Sequence, residues 1–154
     1  MSYSELSLKK NKKSGKKRDS QDIAQYAVTD DDSEFKVASG DDQFQKVYFD
    51  YDRTNIKDDQ RVAVDYDVKL ARQVTAEGDA ALMVIGKADT KCKSELYNTA
   101  VSQHRADVVK QEFALAGIDS DRIKALGVGD TQLEVPVYGA EPRNRCAMVQ
   151  VVRG

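Results

Sequence analysis

Residues 80–89 read AALMVIGKAD, an uninterrupted apolar run that ends at Gly86 and is followed at once by polar residues. Short apolar runs without alternation are typical of strands that are buried on both faces of a sheet. We therefore predict a buried strand over Ala80–Gly86. Asp89 then lies in the loop that leaves the carboxyl end of this strand.

Helix and strand signals alternate on both sides of this run. Ser94 is suited to the N-cap, and Gly117 to the C′ position, of a helix over Ser94–Gly117. We predict that the apolar stripe of this helix consists of Leu96, Ala100, Val101, Val108 and either Ala114 or Leu115. Aromatic and β-branched residues predict three further strands, over Phe44–Asp52, Ile123–Val128 and Cys146–Val152.

One segment fits two patterns. Over Arg61–Leu70 (RVAVDYDVKL), apolar residues recur at every second position, which favours a strand. A helical register through Ala63, Tyr66, Leu70 and Val74 is also available, and the helix-forming stretch LARQVTAE before Gly78 favours it. With a helix over about 58–77, the order β-α-β-α-β-β predicts a two-layer α+β or α/β domain.

The first 42 residues differ in composition from the rest. Seven positive charges fall within the ten residues Lys9–Arg18, and an acidic patch follows at Asp30–Glu34. Apolar residues are scattered without a period, so this segment buries too little apolar surface to offset the ordering entropy of its backbone. We predict a disordered charged arm over 1–42 and a folded domain over 43–154. The basic block is typical of a solvated charge run, and contact with anionic lipid headgroups is an alternative.

Composition excludes several classes of protein. The 154 residues carry a net charge of −2, and no apolar run approaches the length of a membrane-spanning helix. No apolar h-region follows the first basic residues, so the sequence as given shows no signal peptide. Integral membrane proteins, collagens, coiled coils and multi-disulfide scaffolds are excluded. The near-neutral charge balance argues against a nucleic-acid-binding domain, and we expect no nucleic-acid partner.

The sequence does not favour catalysis or metal binding. Two cysteines and one histidine, His104, are too few for a disulfide framework or a structural zinc site. Gly127-Val128-Gly129 lacks the third glycine and the Lys-Ser/Thr that a phosphate-binding loop requires. A catalytic triad needs more than one isolated histidine. We therefore predict no enzyme, no metal and no cofactor.

Several short motifs together resemble one protein family. They are VYFDYDRTNI (47–56), GKAD (86–89), YN (97–98), SQHRADVV (102–109), GIDSDRI (117–123) and NR (144–145). In this order and spacing they resemble the OmpA-like peptidoglycan-binding domain, found in OmpA, peptidoglycan-associated lipoproteins and flagellar stator B subunits. The resemblance covers residues 43–154. It implies an α+β fold with a mixed four-stranded sheet, helices on one side, and a helix at 61–70.

The resemblance also implies non-covalent binding of the diaminopimelate part of the peptidoglycan stem peptide. That group presents an ammonium and a carboxylate, which one acid and one arginine held a few ångströms apart would complement. By position, Asp89 matches the acid of the family and Arg105 its arginine. Asn98 and Arg145 match second-tier positions that contact or orient the ligand and the loop.

Four departures from the family pattern bear on ligand affinity more than on the fold. Lys87-Ala88 stands where the family has His or Tyr followed by Thr, and Cys92 stands where it has Gly. Any positive φ at Cys92 would be costly. Gln103-His104 replaces an acidic–Arg pair, and Cys146 replaces a second Arg.

The two cysteines replace residues that frame the ligand site in the family. The family fold would put Cys92 and Cys146 at the same end of the sheet, so the resemblance implies that a disulfide between them is feasible in an oxidising periplasm. The alternative is two independent small hydrophobic residues.

Two functions follow from these expectations. The first is a periplasmic, outer-membrane-associated module that anchors an envelope protein or complex to peptidoglycan. The alternative is a structural subunit of an envelope machine, such as a secretion or flagellar apparatus, that acts mainly through protein–protein contacts. The sequence shows no lipid-attachment cysteine, so we expect an anchor that is absent from it or a partner that holds the protein.

Overall fold

The structure is a computed structural model that describes residues 43–153, and within that range the elements follow the predicted order β-α-β-α-β-β. They are β1 (Val47–Tyr48), α1 (Arg61–Thr75), β2 (Ala80–Gly86), α2 (Glu95–Leu115), β3 (Ile123–Gly127) and β4 (Cys146–Arg153). The predicted charged arm over 1–42, with its basic block Lys9–Arg18, lies outside the described residues.

The four strands form one mixed sheet in the order β1-β4-β2-β3. β4 runs antiparallel to both β1 and β2, whereas β2 and β3 are parallel, with Leu82 opposite Ile123 and Gly86 opposite Gly127. The main core lies between one face of this sheet and the two helices, because alternate residues such as Leu82 and Val84 join it. The sequence prediction of a two-layer α+β fold with a mixed four-stranded sheet is confirmed.

The ambiguous segment is helical. α1 buries Val64, Asp67, Leu70, Ala71 and Val74, which recur every three or four residues along the chain. The segment therefore follows the helical register, as the family resemblance implied, and the apolar residues at every second position do not form a strand. α1 is shorter than the predicted 58–77 because a separate 3-10 turn, Asp58–Gln60, precedes it.

β1 is much shorter than the predicted Phe44–Asp52. Its ladder with β4 covers only Val47 and Tyr48, because side chains take neighbouring backbone groups. At one end the amide of Gln45 donates to Asp67 Oδ1 (2.8 Å), and at the other the carbonyl of Phe49 accepts from Arg145 Nε (2.9 Å). The chain then turns, with the amide of Arg53 donating to the carbonyl of Asp50 at 3.1 Å.

α2 has the predicted ends but only part of the predicted buried face, at Leu115. Ser94 caps it by accepting a hydrogen bond from the Tyr97 amide, and Gly117 follows it with φ +99°. Leu96 and Ala100, placed on the apolar stripe by sequence, are exposed. The residues that α2 buries are Asn98, Ser102, Arg105, Ala106, Val109, Phe113 and Leu115. The first half of this face is polar because it lies against loops rather than against the core.

Two glycines let α2 lie very close to the sheet. A Cβ on Gly86 would come within 1.9 Å of the Ser102 carbonyl oxygen, and one on Gly127 within 2.3 Å of the Gln103 amide nitrogen. Both glycines end strands, so the close approach brings the middle of α2 against the loops that leave β2 and β3. Within the described range, no helix is long and apolar enough to cross a membrane.

Candidate functional site

Three loops meet at one end of the sheet. They are the β1–α1 turn (residues 50–53), the β2–α2 loop (87–94) and the β3–β4 loop (128–145). They converge because the parallel strands β2 and β3 both end there, while antiparallel β4 begins there beside the end of β1. The amino-terminal half of α2 lies beside all three. All four residues predicted to contact or orient the ligand belong to this region.

Asp89 is the hub of the region, and its side chain is only 3% exposed. Its Oδ2 accepts hydrogen bonds from Arg145 Nη1 at 2.9 Å and from the Glu141 amide at 3.0 Å. Its Oδ1 accepts from the amide of Lys91, two residues further on, at 3.2 Å. The carboxylate thus joins the β2–α2 loop to the β3–β4 loop, and Arg145 balances its charge.

Arg145 is the more accessible partner of this ion pair, with its side chain 12% exposed. Besides bonding Asp89, it donates from Nε to the carbonyl oxygen of Phe49 at 2.9 Å. Phe49 in turn donates its amide to the Arg145 carbonyl at 2.9 Å. Arg145 is therefore fixed to the end of β1 while its guanidinium faces Asp89.

Arg105 has a different environment from the one that a ligand-gripping arginine would need. It is 1% exposed, and its guanidinium donates to three carbonyl oxygens: Arg53 (3.0 Å), Lys87 (2.9 Å) and Asp50 (3.1 Å). Burial, and next the positive charge of Arg145, lower the pKa of Arg105 to about 10. Arg105 thus fastens the β1–α1 turn and the start of the β2–α2 loop to α2, and the structure shows no hydrogen bond between Arg105 and Asp89.

Asn98 acts on the same loop. Its side-chain nitrogen donates to the Cys92 carbonyl at 2.9 Å and lies 3.5 Å from Asp130 Oδ2. It therefore links the β2–α2 loop to the β3–β4 loop from the first turns of α2, without reaching Asp89 itself.

The S-x-x-R-A motif of α2 has a structural explanation. Ser102 Oγ accepts from the Gly129 amide at 2.8 Å and donates to the Thr99 carbonyl at 2.9 Å. Ala106 is fully buried, and a Cβ added to Gly86 would lie only 3.0 Å from the backbone nitrogen of Ala106. That is about the closest approach possible before one of the two atoms would have to move. The motif thus joins a small residue for close packing to two polar residues that hold the loops.

Asn144 shapes the β3–β4 loop. Its Oδ1 accepts from the amides of Glu134 (2.7 Å) and Val135 (2.9 Å), and its Nδ2 donates to the carbonyls of Val135 (3.2 Å) and Val137 (3.4 Å). The loop is tied to the β2–α2 loop by the Gly139 amide, which donates to Thr90 Oγ1 at 2.5 Å. The NR motif therefore supplies one residue that folds this loop and one that pairs with Asp89.

The rim of the site carries residues that the sequence analysis did not select. Asp52 is exposed, has φ +58°, and accepts a hydrogen bond from the Tyr97 hydroxyl. Burial and then this hydrogen bond raise the pKa of Tyr97 to about 12. The Lys91 ammonium lies 4.4 Å from the centre of the Tyr51 ring. The sequence signal was the DYDR turn between β1 and α1 (residues 50–53), most of which the sequence analysis had included in the strand Phe44–Asp52.

Two residues of the β2–α2 loop that depart from the family pattern, Lys87 and Cys92, are accommodated by the structure. Lys87 is buried and bonds Glu134, which also pairs with Lys46 at 3.1 Å. Burial alone would raise the pKa of Glu134, but the hydrogen bonds from Lys87 and Lys46 outweigh it and lower the pKa. Among the described residues, Asp52 is the only non-glycine residue with positive φ, so Cys92 does not carry that strain.

Cys92 and Cys146, for which the family resemblance made a bridge feasible and two independent residues the alternative, are both free thiols in the structure. Cys146 pairs with Tyr48 in the sheet, and it alternates with Ala147, which faces the helices. Its thiol therefore lies on the opposite face, beside Glu134 and the lysines, and burial raises its pKa to about 11. Cys92 instead lies in the loop held by α2, so sharing one end of the sheet does not bring the two sulfurs together.

The described residues contain no group of three or more His, Cys, Asp or Glu side chains that could hold a metal ion. His104 is exposed on α2. The chemistry that this region offers is hydrogen bonding and ion pairing around Asp89 and Arg145.

Comparisons with known proteins agree with this architecture. The OmpA family model matches residues 48–145. Outer membrane protein A of Bordetella avium is 30% identical over 104 residues, which cover 68% of this chain and 52% of that protein. The chain spans about half or less of the length of the curated relatives that it matches.

Two solved structures share the fold. The peptidoglycan-associated lipoprotein from Burkholderia pseudomallei aligns with a TM-score of 0.62 and 21% identity, covering 70% of this chain and 90% of that one. The cell wall anchor of the T6SS from Pseudomonas aeruginosa aligns with a TM-score of 0.55 and 25% identity, covering 68% of this chain and 73% of that one.

Proposed function

The chain belongs to the OmpA family, and on that premise we propose that its domain, residues 43–154, binds peptidoglycan non-covalently and anchors an envelope protein or complex to the cell wall. The ligand group is the diaminopimelate end of the stem peptide, which carries an ammonium and a carboxylate. The protein would act in the periplasm, in association with the outer membrane, and as a binding module rather than an enzyme.

The observation that carries this proposal is the ion pair between Asp89 and Arg145, at 2.9 Å, where three loops meet. It presents one carboxylate and one guanidinium, the two groups that complement a ligand bearing an ammonium and a carboxylate. Arg145 Nη1 holds one oxygen of Asp89, and that is the position that a ligand ammonium would take. The arginine released from it would then grip the ligand carboxylate through its planar fork.

The contacts of the four predicted site residues support two different roles. In this proposal, Asp89 and Arg145 contact the ligand. Arg105 and Asn98 are positioning residues, because the hydrogen bonds of their side chains go to the loops: Arg105 fastens residues 50, 53 and 87, and Asn98 fastens Cys92. We therefore assign the grip on the ligand carboxylate to Arg145 instead of Arg105. Asp52, on the rim, would be the first acidic group that an approaching ammonium meets.

A sedimentation assay tests the function. Purified murein sacculi are mixed with the full chain and pelleted, and we expect the wild-type protein in the pellet and Asp89→Ala in the supernatant. Asp121→Ala is the matched control, because it removes an exposed carboxylate beside β3 and should pellet like the wild type. Wild-type protein that stays in the supernatant would refute the proposal.

Because Asp89 is buried, its removal also risks disturbing the loops. A second measurement that needs no variant avoids this problem: free diaminopimelic acid should release bound wild-type protein from sacculi, while equimolar 1,5-diaminopentane, which carries ammonium groups but no carboxylate, should release much less. Equal release by both compounds would show that the site does not read the combination of ammonium and carboxylate.

The alternative function is a structural subunit of an envelope machine, and one observation favours it. Asp89 is 3% exposed, and both of its oxygens accept hydrogen bonds from groups of the protein itself, so the site is closed as it stands. One structural neighbour is a cell wall anchor of the T6SS, so such domains occur within larger assemblies. Under this alternative, sacculi would not retain the wild-type chain, and the only effect of Asp89→Ala would be a loss of stability.

A further inference from the structure

Exposed apolar side chains are concentrated around the candidate site. Six large hydrophobic residues are exposed within the described range, and four belong to segments that frame the site: Tyr51, Leu96, Val137 and Tyr138. The other two, Leu126 and Val152, lie on β3 and β4. Single exposed apolar residues are normal on a protein surface, but a cluster beside a proposed site needs an explanation.

Tyr138 is the most exposed of the site tyrosines, at 77%, and its backbone is fixed on both sides. On one side, Asn144 Nδ2 bonds the carbonyl of Val137. On the other, the amide of Gly139, which has φ +93°, bonds Thr90 beside Asp89. The ring is therefore held outward next to the site by an anchored loop.

The remaining rim residues combine flat rings with polar groups. Tyr51 lies under the Lys91 ammonium, and the Tyr97 hydroxyl bonds the Asp52 carboxylate. We call Tyr51, Tyr97 and Tyr138 the tyrosine rim. Rings of this kind offer a large rigid apolar face together with a polar tip, and little side-chain entropy is lost when a ligand covers them.

We propose that the tyrosine rim is a second subsite, which binds the sugar rings of the murein glycan strand, with Tyr138 as the stacking residue. This inference rests on the proposed function, because the stem peptide in the Asp89 site is covalently joined to those sugars. A pyranose ring has an apolar C–H face that suits an aromatic ring and an edge of hydroxyl groups. Lys91 and Asp52 supply a donor and an acceptor for those hydroxyls beside the rings.

The composition and size of the patch favour a sugar over a protein partner. A stable protein interface buries roughly 800 Å² on each side around a continuous apolar centre. Here a few apolar side chains alternate with charged groups at the edge of a polar site. Such a mixed surface matches a ligand with alternating apolar faces and hydroxyl edges.

Titration calorimetry on the full chain tests the inference with three probes: a soluble disaccharide–stem peptide, the same peptide without sugar, and a tetramer of N-acetylglucosamine. We expect Tyr138→Ala to weaken binding of the disaccharide–peptide roughly three- to ten-fold and to leave the sugar-free peptide unchanged. Tyr138→Phe should retain wild-type affinity, since stacking does not need the hydroxyl. Val152→Ala, an exposed residue of similar character at the far end of β4, is the control.

The outcomes separate the inference from the function on which it rests. If the sugar-free peptide binds in an Asp89-dependent way and the sugar adds nothing, the second subsite is overturned and the proposed function stands. Equal weakening of both peptide probes by Tyr138→Ala also overturns it, because Tyr138 would then contact peptide. If the tetramer binds in the calorimetric titration and Tyr138→Ala weakens its binding, while neither peptide probe binds in an Asp89-dependent way, the sugar subsite stands and the proposed function fails.

Discussion

Two buried aspartates lie in different regions of this domain, and their surroundings differ sharply. Asp89, where the three loops meet, accepts hydrogen bonds from two backbone amides and from Arg145. Asp67, on the buried face of α1, accepts one hydrogen bond, from the Gln45 amide, and its Oδ2 has no partner. Burial raises the pKa of Asp67 well above its ordinary value of 3.8, and the Gln45 hydrogen bond opposes this only in part.

The difference shows how context sets the role of a buried carboxylate. A buried charge is tolerated when a counter-ion and hydrogen bonds replace water, and otherwise the group tends to keep its proton. Asp89 has this compensation and can hold loops and exchange ion-pair partners. Asp67 lacks it, and its one hydrogen bond fastens the segment that enters β1. We infer that the first is a binding group and the second a structural one.

The largest expected effect comes from truncating each aspartate in turn. Asp89→Ala leaves Arg145 and two amides without their partner, and losing one member of a buried pair costs roughly 3 kcal/mol or more. Asp67→Ala removes one hydrogen bond but also a poorly compensated group, so we expect a cost of about 1 kcal/mol. Urea unfolding of both variants measures the contrast. Equal losses would show that Asp89 is no better paired than Asp67.

The pH dependence of stability is the next test. Because folding raises the pKa of Asp67, the folded state keeps a proton that the unfolded chain releases above pH 3.8. The contribution of Asp67 to the free energy of unfolding is fully present below pH 3.8. It is lost as pH rises through the pKa of the folded state, by up to about 1.4 kcal/mol per pH unit. Asp67→Asn should remove this dependence while keeping an oxygen for the Gln45 amide.

Urea unfolding at intervals from pH 4 to pH 8 compares Asp67→Asn with the wild type. Asp119→Asn is the control, because Asp119 is exposed. If the wild type and Asp67→Asn give parallel curves, Asp67 does not titrate in this range and the proposed contrast with Asp89 is lost.

The sequence predicted the fold because most of its signals are local. The apolar run Ala80–Gly86, the Ser94 cap and Gly117 each depend on neighbours in the chain, and each matches the structure. The shortness of β1 was not predictable, because it depends on the side chains of Asp67 and Arg145, which are distant from it in sequence. The buried face of the amino-terminal half of α2 was misassigned for a related reason: apolar periodicity cannot indicate a face that lies against polar loops.

The candidate site was predictable only in part. The resemblance selected four residues that all lie where the three loops meet, but the sequence did not predict which groups their side chains contact. Arg105 and Arg145 are both arginines near Asp89. Arg105 donates to main-chain carbonyls because the β1–α1 turn passes beside it, and the sequence alone does not show the course of that turn. The tyrosine rim was missed because Tyr51, Tyr97 and Tyr138 come from three different segments, which only the folded chain brings near one another.

The smallest expected effect separates charge from geometry in the pairing of Asp89. Arg145→Lys keeps a positive charge that reaches towards Asp89 but loses the Nε hydrogen bond to the Phe49 carbonyl, so we expect a loss of about 1 kcal/mol of stability. Arg145→Met removes both and should cost more, because Asp89 then keeps only its two amide donors and comes to resemble Asp67. Urea unfolding of the two variants at neutral pH ranks them. If Arg145→Lys is as unstable as Arg145→Met, the fixed fork of the arginine, and not its charge, is what distinguishes Asp89 from Asp67.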